Sequence, residues 1–270
     1  VWAALIFKLL VNYLKQNKMV NIGVADVAKL RKMTGAGMMD CKKALTEAEG
    51  DFDKAIEILR KKGQKVASNR ADREASEGVV LATTTADLKN AVMISLNCET
   101  DFVAKNDDFV KNAEEMLQAA VKNLPENLDA FKELKLANGK TIAEEIVNLT
   151  GVIGEKIDVG FYAKVTGETT GFYIHADKKI ATILAANKAV EDNKILKTVA
   201  MQITAMRPVA VDKEFVPQSV IDKEIEIGRE LAINEGKPVE MAEKIALGRL
   251  DKFFKESTLL NQQFISDNKM

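Results

Sequence analysis

Apolar positions along the chain change period several times, and each change marks an element. Val24, Val27, Ala28 and Leu30 recur on one face of a helix. Thr34-Gly35-Ala36-Gly37 interrupts that face, since two glycines let the backbone turn sharply. A second helix places Met38, Cys41, Leu45 and Ala48 on one stripe. Met39 lies about 100° round from Met38, at the stripe's edge, so one methionine is expected in the core and the other at the surface. A third helix starts from Asp51 as N-cap, with Phe52, Ala55, Ile56 and Leu59 at i, i+3, i+4 and i+7, and Gly63 interrupts it. Residues 20–69 thus read as three short helices around a small core. Such a unit suits docking better than catalysis.

From Gly78 the period falls to two. Gly78 to Thr85 and Ala91 to Leu96 read as strands of a hairpin, separated by Ala86 to Asn90. A helix over Asp107–Asn123 carries Phe109, Ala113, Met116, Leu117 and Ala120, with Asp107 or Asp108 as cap and Pro125 as terminator. Thr141 to Leu149 predicts a further amphipathic helix, in which Thr141 and Glu144 form a capping box. Ile157 to Val165, Gly171 to His175 and Ile180 to Ala186 predict an antiparallel meander. A helix after Asp192 carries Ile195, Leu196, Val199, Ile203 and Met206 and stops at Pro208. Residues 217–255 form two helices joined by Asn234-Glu235-Gly236-Lys237-Pro238. So short a joint makes the arms antiparallel, with Ile221, Ile225, Gly228 and Ala232 facing Met241, Ile245, Leu250 and Phe253. The class is α+β.

One connection breaks the pattern. Asn97-Cys98-Glu99-Thr100-Asp101-Phe102-Val103-Ala104-Lys105 joins the second strand to the Asp107 helix, and such loops should be polar. This one carries a large aromatic directly after a carboxylate. Two readings stay open: Phe102 folds back as a staple on the helix start, or Asp101-Phe102 is a prong aimed at another molecule.

Bulk properties narrow the function. The chain has 270 residues, 47% hydrophobic and 29% charged, enough for two or three domains. They are expected at 19–69, 70–155 and 156–270. With 39 basic and 40 acidic residues there is no electrostatic footprint for direct nucleic-acid binding. The basic run 60–73, six Lys or Arg in fourteen, reads as a solvated helix end and linker. Two cysteines, Cys41 and Cys98, make no disulfide framework and fit a reducing cytosol. Near the start, the apolar run Val1 to Leu10 is broken by Lys8 and too short to span a membrane. Met19 reads as a natural beginning, so residues 1–18 are expected to be a non-native or disordered extension.

Candidate catalysis is thin. The single histidine, His175, falls on a predicted strand in an apolar setting, where a structural role is the default. Cys98 at a strand end reads as a small buried residue rather than the partner of His175 in a nucleophile pair. Cys41, Cys98 and His175 are too few and too dispersed for a zinc site. Gly35-Ala36-Gly37 lacks the Gly-Lys-Ser/Thr ending of a phosphate loop and has no preceding strand. The residues alone describe a non-catalytic interaction protein without a cofactor.

Leu30-Arg31-Lys32-Met33-Thr34-Gly35-Ala36-Gly37-Met38-Met39-Asp40-Cys41-Lys42-Lys43-Ala44-Leu45 resembles the N-terminal signature of the bacterial translation elongation factor Ts family. Asn97 to Lys105 is similar to that family's second signature. Val152-Ile153-Gly154-Glu155-Lys156-Ile157, Tyr173-Ile174-His175 and Gly248-Arg249-Leu250 are weaker matches in the expected order. The resemblance implies a ubiquitin-associated-like three-helix domain, a two-part α+β core with antiparallel sheets and a protruding helical hairpin. It implies a cytoplasmic guanine-nucleotide exchange factor, not an enzyme, which binds GDP-bound and nucleotide-free elongation factor Tu. Arg31, Met38 and Met39 would dock on the GTPase domain of Tu. Thr100, Asp101, Phe102 and Val103 would enter near its nucleotide, with Ile153 and Gly154 beside them and Asp101 and Phe102 displacing its magnesium. His175 would face another domain of Tu, against its structural default. The alternative is a ubiquitin-associated-like adaptor without exchange activity. Family members usually continue past the position of Met270 with a helix and a strand, so an open sheet edge is expected if these are absent.

Overall fold

The computed structural model describes residues 22–265. The expectations for residues 1–18 and for the chain after Met270 lie outside the described residues. The elements are α1 (Val24–Thr34), α2 (Met38–Glu47), α3 (Phe52–Asn69), β1 (Glu77–Thr84), β2 (Asn90–Cys98), α4 (Asp101–Ala104), α5 (Asp107–Asn123), α6 (Leu128–Lys132), α7 (Ile142–Ile153), β3 (Asp158–Thr166), β4 (Thr169–Ile174), β5 (Ala181–Ala186), α8 (Asn193–Met206), a short 3-10 turn (Lys213–Phe215), α9 (Gln218–Asn234) and α10 (Val239–Ser257). The fold is α+β. It divides into two compact units, one of residues up to 78, 96–111 and 129–160, the other of 79–95, 112–128 and from 161 onward.

In the first unit, α1, α2 and α3 enclose Val27, Leu30, Ala36, Cys41, Ala44, Leu45, Ala48 and Ala55. The expected face of α1 is narrower than its spacing suggested, since Val24 is 79% exposed and Ala28 is exposed too. Gly35 ends α1 in the left-handed conformation at φ 71°, accepting the turn without a Cβ penalty. Ala36 then folds beneath α2, and the Cys41 thiol donates to its carbonyl at 3.5 Å. Ala36 is therefore buried at the start of α2, and Met38, placed on the core stripe by its spacing, stands at the surface beside Met39. Asp51 caps α3, accepting from the amides of Asp53 and Lys54. Gly63 does not break α3, which runs on to Asn69. Here α3 crosses α7 closely at Gly151, where an added Cβ would run into Gly63 Cα, whereas one built on Gly63 would lie an ordinary 3.5 Å from Gly151 Cα. The basic run is accordingly the largely exposed end of α3, and its last residues, 70–73, lie in the connection to β1.

The capping box of α7 is present: Thr141 accepts from Glu144 N–H and Glu144 accepts from Thr141 N–H. Phe109, Ala113, Met116, Leu117 and Ala120 of α5 are all buried, as their spacing demands. The cap of α5 is neither aspartate. Asn106 Oδ1 accepts from the amides of Asp108 and Phe109 at 2.9 and 3.3 Å.

The expected meander is corrected. One sheet has the order β1-β2-β3, and among the described residues β4 pairs only with β5, antiparallel, with Thr169 opposite Ala186 and Ile174 opposite Ala181. Strand β3 thus joins the sheet of the first hairpin rather than its sequence neighbour β4. Gly171 of β4 abuts α8, where a Cβ would meet Leu196 Cβ at 2.6 Å. The arms α9 and α10 pack on each other through Gly228, Ala232, Ala242, Ala246 and Leu250. Met241, expected in this seam, is 54% exposed, because the small residues Ala242 and Ala246 take the contact.

Candidate functional site: an anchored aromatic turn

The Asn97–Lys105 connection is more ordered than a loop. Strand β2 runs through Asn97 to Cys98, and after two residues α4 makes a single helical turn. Residues two apart on a helix point about 200° from each other. Ala104 is buried, so Phe102 faces away and is 83% exposed. The staple reading is excluded by that exposure. Asp101 lies beside it, its Oδ2 2.6 Å from Lys105 Nζ, and Val103 is half-buried.

The base of the turn is bound tightly. Glu155 Oε2 accepts from the amides of Glu99 and Thr100 at 3.1 and 3.0 Å. Glu155 Oε1 accepts from the Thr100 hydroxyl at 2.7 Å. In return, Glu99 Oε1 accepts from Lys156 N–H at 2.6 Å. Arg70 Nη1 lies 2.8 Å from both Glu99 oxygens. The Lys156 amide, and after it the Arg70 guanidinium, hold the Glu99 carboxyl below its ordinary value of 4.5, outweighing the opposing effect of burial. Below the turn, the Cys98 thiol donates to Thr100 O at 3.1 Å. Burial and the Glu155 charge push that thiol up to about 11. Such a cysteine is a packed hydrogen-bond donor, not a nucleophile.

Ile153 and Gly154 sit at the end of α7. Gly154 is its left-handed cap at φ 82°, and its amide donates to Thr150 O. Because Glu155 comes directly after it, this turn and the Phe102 turn are joined by hydrogen bonds. Thr100, Asp101, Phe102, Val103, Ile153 and Gly154 therefore form one cluster. Arg31, Met38 and Met39 are elsewhere in the same unit, all exposed, Met39 at 65%. His175 belongs to the other unit. It lies just past β4, exposed rather than apolar, with Nδ1 3.2 Å from the Tyr173 hydroxyl. Among the described residues no group of three His, Cys, Asp or Glu could hold a metal ion. Nor is any described helix long and apolar enough to cross a membrane.

Glu155, Arg70 and Glu99 escape a reading by periodicity. Glu155 had one signal, its place directly after a glycine that ends a helix. Arg70 was hidden within a run of like charge.

Residues 99–270 match the family model described as Elongation factor TS. The chain is 51% identical over 254 residues to elongation factor Ts of Christiangramia forsetii, covering 93% of this chain and 91% of that one. It is 50% identical over 252 residues to elongation factor Ts of Cytophaga hutchinsonii, covering 93% and 91%. For elongation factor Ts of Porphyromonas gingivalis the identity is 48% over 250 residues, covering 92% and 90%. Likeness at this level over nearly the whole length, around one anchored aromatic turn, means that the chain belongs to the elongation factor Ts family of translation elongation factors.

Proposed function

We propose that the protein is a guanine-nucleotide exchange factor that binds elongation factor Tu and promotes release of its GDP. The observation that carries this reading is Phe102, 83% exposed on a turn whose base is fixed by Glu155. Leaving a phenylalanine in water forgoes roughly 1.5–3 kcal/mol that burial would return. A partner that buries it only when its nucleotide site is open gains that energy in the open state alone. By linkage, a factor favouring nucleotide-free Tu weakens nucleotide binding by the same factor. Each tenfold weakening requires about 1.4 kcal/mol, so burial of Phe102 in the open state alone corresponds to a weakening of roughly ten- to a hundredfold.

Arg31, Met38 and Met39 supply that docking, their exposed side chains meeting the GTPase domain of Tu. Asp101 brings a carboxylate to the magnesium and phosphate region, where like charge disfavours the phosphates. His175 meets a second domain of Tu. No covalent bond is made or broken, so this is exchange and not enzymatic catalysis; as a step of translation it belongs in the cytoplasm. No cofactor is needed. An adaptor without exchange activity would have no use for an outward phenylalanine held at its base.

Stopped-flow release of fluorescent GDP from elongation factor Tu tests the reading. Wild-type protein should accelerate release strongly, Phe102→Ala should lose most of the effect, and Met39→Ala should reduce it. Release unchanged by micromolar wild-type protein overturns the assignment.

A further inference from the structure

We propose that Glu155 is a positioning residue for exchange, holding Phe102 outward through its grip on the Glu99–Thr100 backbone; this rests on the exchange reading above. Phe102 is so exposed that nothing at its tip can fix its direction. The direction must be set at the base of the turn. There Glu155 takes the two amides that lead from β2 into α4, together with the Thr100 hydroxyl. All three bonds are made to one carboxylate, and charge-assisted bonds are the stronger kind.

Glu155 is itself well placed to act as an anchor. The left-handed Gly154 turns the chain out of α7 directly before it. Helix α7 is fixed at its start by the capping box and along its length by the close crossing with α3. The brace is reciprocal, because Glu99 accepts from the Lys156 amide next to Glu155. Glu99 also receives Arg70, the C-cap residue of α3. The prong is thus tied to the ends of two crossing helices, and α3 is also part of the docking unit. Without Glu155 the residues around Phe102 would be held less firmly, and the further ordering needed on binding would subtract from the energy available to open the nucleotide site.

The test titrates GDP release from elongation factor Tu with wild-type protein, Glu155→Ala, Phe102→Ala and the double variant. Glu155→Ala should lower the maximal release rate about tenfold, equivalent to about 1.4 kcal/mol. The half-saturating concentration should stay within about twofold, because the docking residues are untouched. On the Phe102→Ala background, Glu155→Ala should cost nothing more, since it acts through that ring. Glu155→Gln, which keeps an acceptor for the amides, should recover most of the rate. Thr100→Val removes one of the three bonds and should lose about threefold, so it carries the same cycle if Glu155→Ala does not fold. Equal losses on both backgrounds, or a wild-type rate for Glu155→Ala and Thr100→Val, sink the positioning role alone. A wild-type protein that does not accelerate release sinks it together with the exchange reading.

Discussion

Gly151 of α7 faces Gly63 of α3 so closely that a Cβ added to Gly151 would run into Gly63 Cα and lie 3.2 Å from its carbonyl carbon. The relationship is not symmetrical. A Cβ added to Gly63 would sit at an ordinary 3.5 Å from Gly151 Cα. Alanine in a helix interior is otherwise worth up to about 1 kcal/mol over glycine. Gly63→Ala should therefore be neutral or stabilising by as much as that. Gly151→Ala must push the helices apart, at about 1–3 kcal/mol for overpacking, and should destabilise. Guanidinium unfolding of the two variants checks this, and equal effects at both positions would contradict the crossing.

Glu99 gives a pH dependence of known sign. Its carboxyl is held below its ordinary value of 4.5, chiefly by the Lys156 amide, with Arg70 adding to the effect. A folded-state value below the unfolded one contributes stability that is complete above the unfolded value. That stability is lost as pH falls through the folded value. Wild type should thus be more stable than Glu99→Gln at neutral pH by a constant margin. The margin should begin to shrink near pH 4.5 and close in stronger acid. Melting curves of both proteins between neutral pH and the onset of acid unfolding would show it. A margin that grew in acid would mean that the carboxylate is not the stabilising form.

Cys98 should be inert. Its thiol is fully buried, donates to Thr100 O and titrates at about 11. At pH 8 roughly one thiol in a thousand would be ionised. Cys41 is equally buried. A thiol reagent such as DTNB should find no reactive cysteine in the native protein at pH 8 and two after denaturation. Cys98→Ser, which keeps a donor toward Thr100 O, should leave GDP release within about twofold. Loss of activity in that variant would favour a cysteine-dependent reaction instead.

What could be read in the sequence was whatever a periodic pattern or a local cap records. The stripe from Phe109 to Ala120, the Thr141–Glu144 box and the Gly236–Pro238 joint are of this kind, each complete within a few residues. What could not be read depends on a partner distant in the chain. Gly63 looks like a helix breaker until Gly151 stands opposite. Strand β3 seems to continue into β4 until β2 takes it. Met38 falls on the core stripe, but Ala36 of the preceding turn is buried there. The site divides in the same way. Phe102 was conspicuous because an aromatic in a connection conflicts with its surroundings. Glu155 hydrogen-bonds the Glu99 and Thr100 amides from 56 and 55 positions away, and no spacing rule reports that.

Two phenylalanines on either side of Asn106 should separate function from stability. Phe109 is 2% exposed on the core face of α5, whereas Phe102 is 83% exposed. Phe109→Ala should cost about 3–5 kcal/mol, lowering the melting temperature sharply. Phe102→Ala removes almost no buried area in the free protein, so its stability should stay within about 0.5 kcal/mol of wild type. Its GDP-release activity should nevertheless fall by tenfold or more, since the burial it offers is realised only on Tu. Phe102→Leu should retain an intermediate rate, because a leucine still buries apolar surface but lacks the flat ring. A Phe102→Ala protein that melted several degrees early would return the residue to the role of a staple.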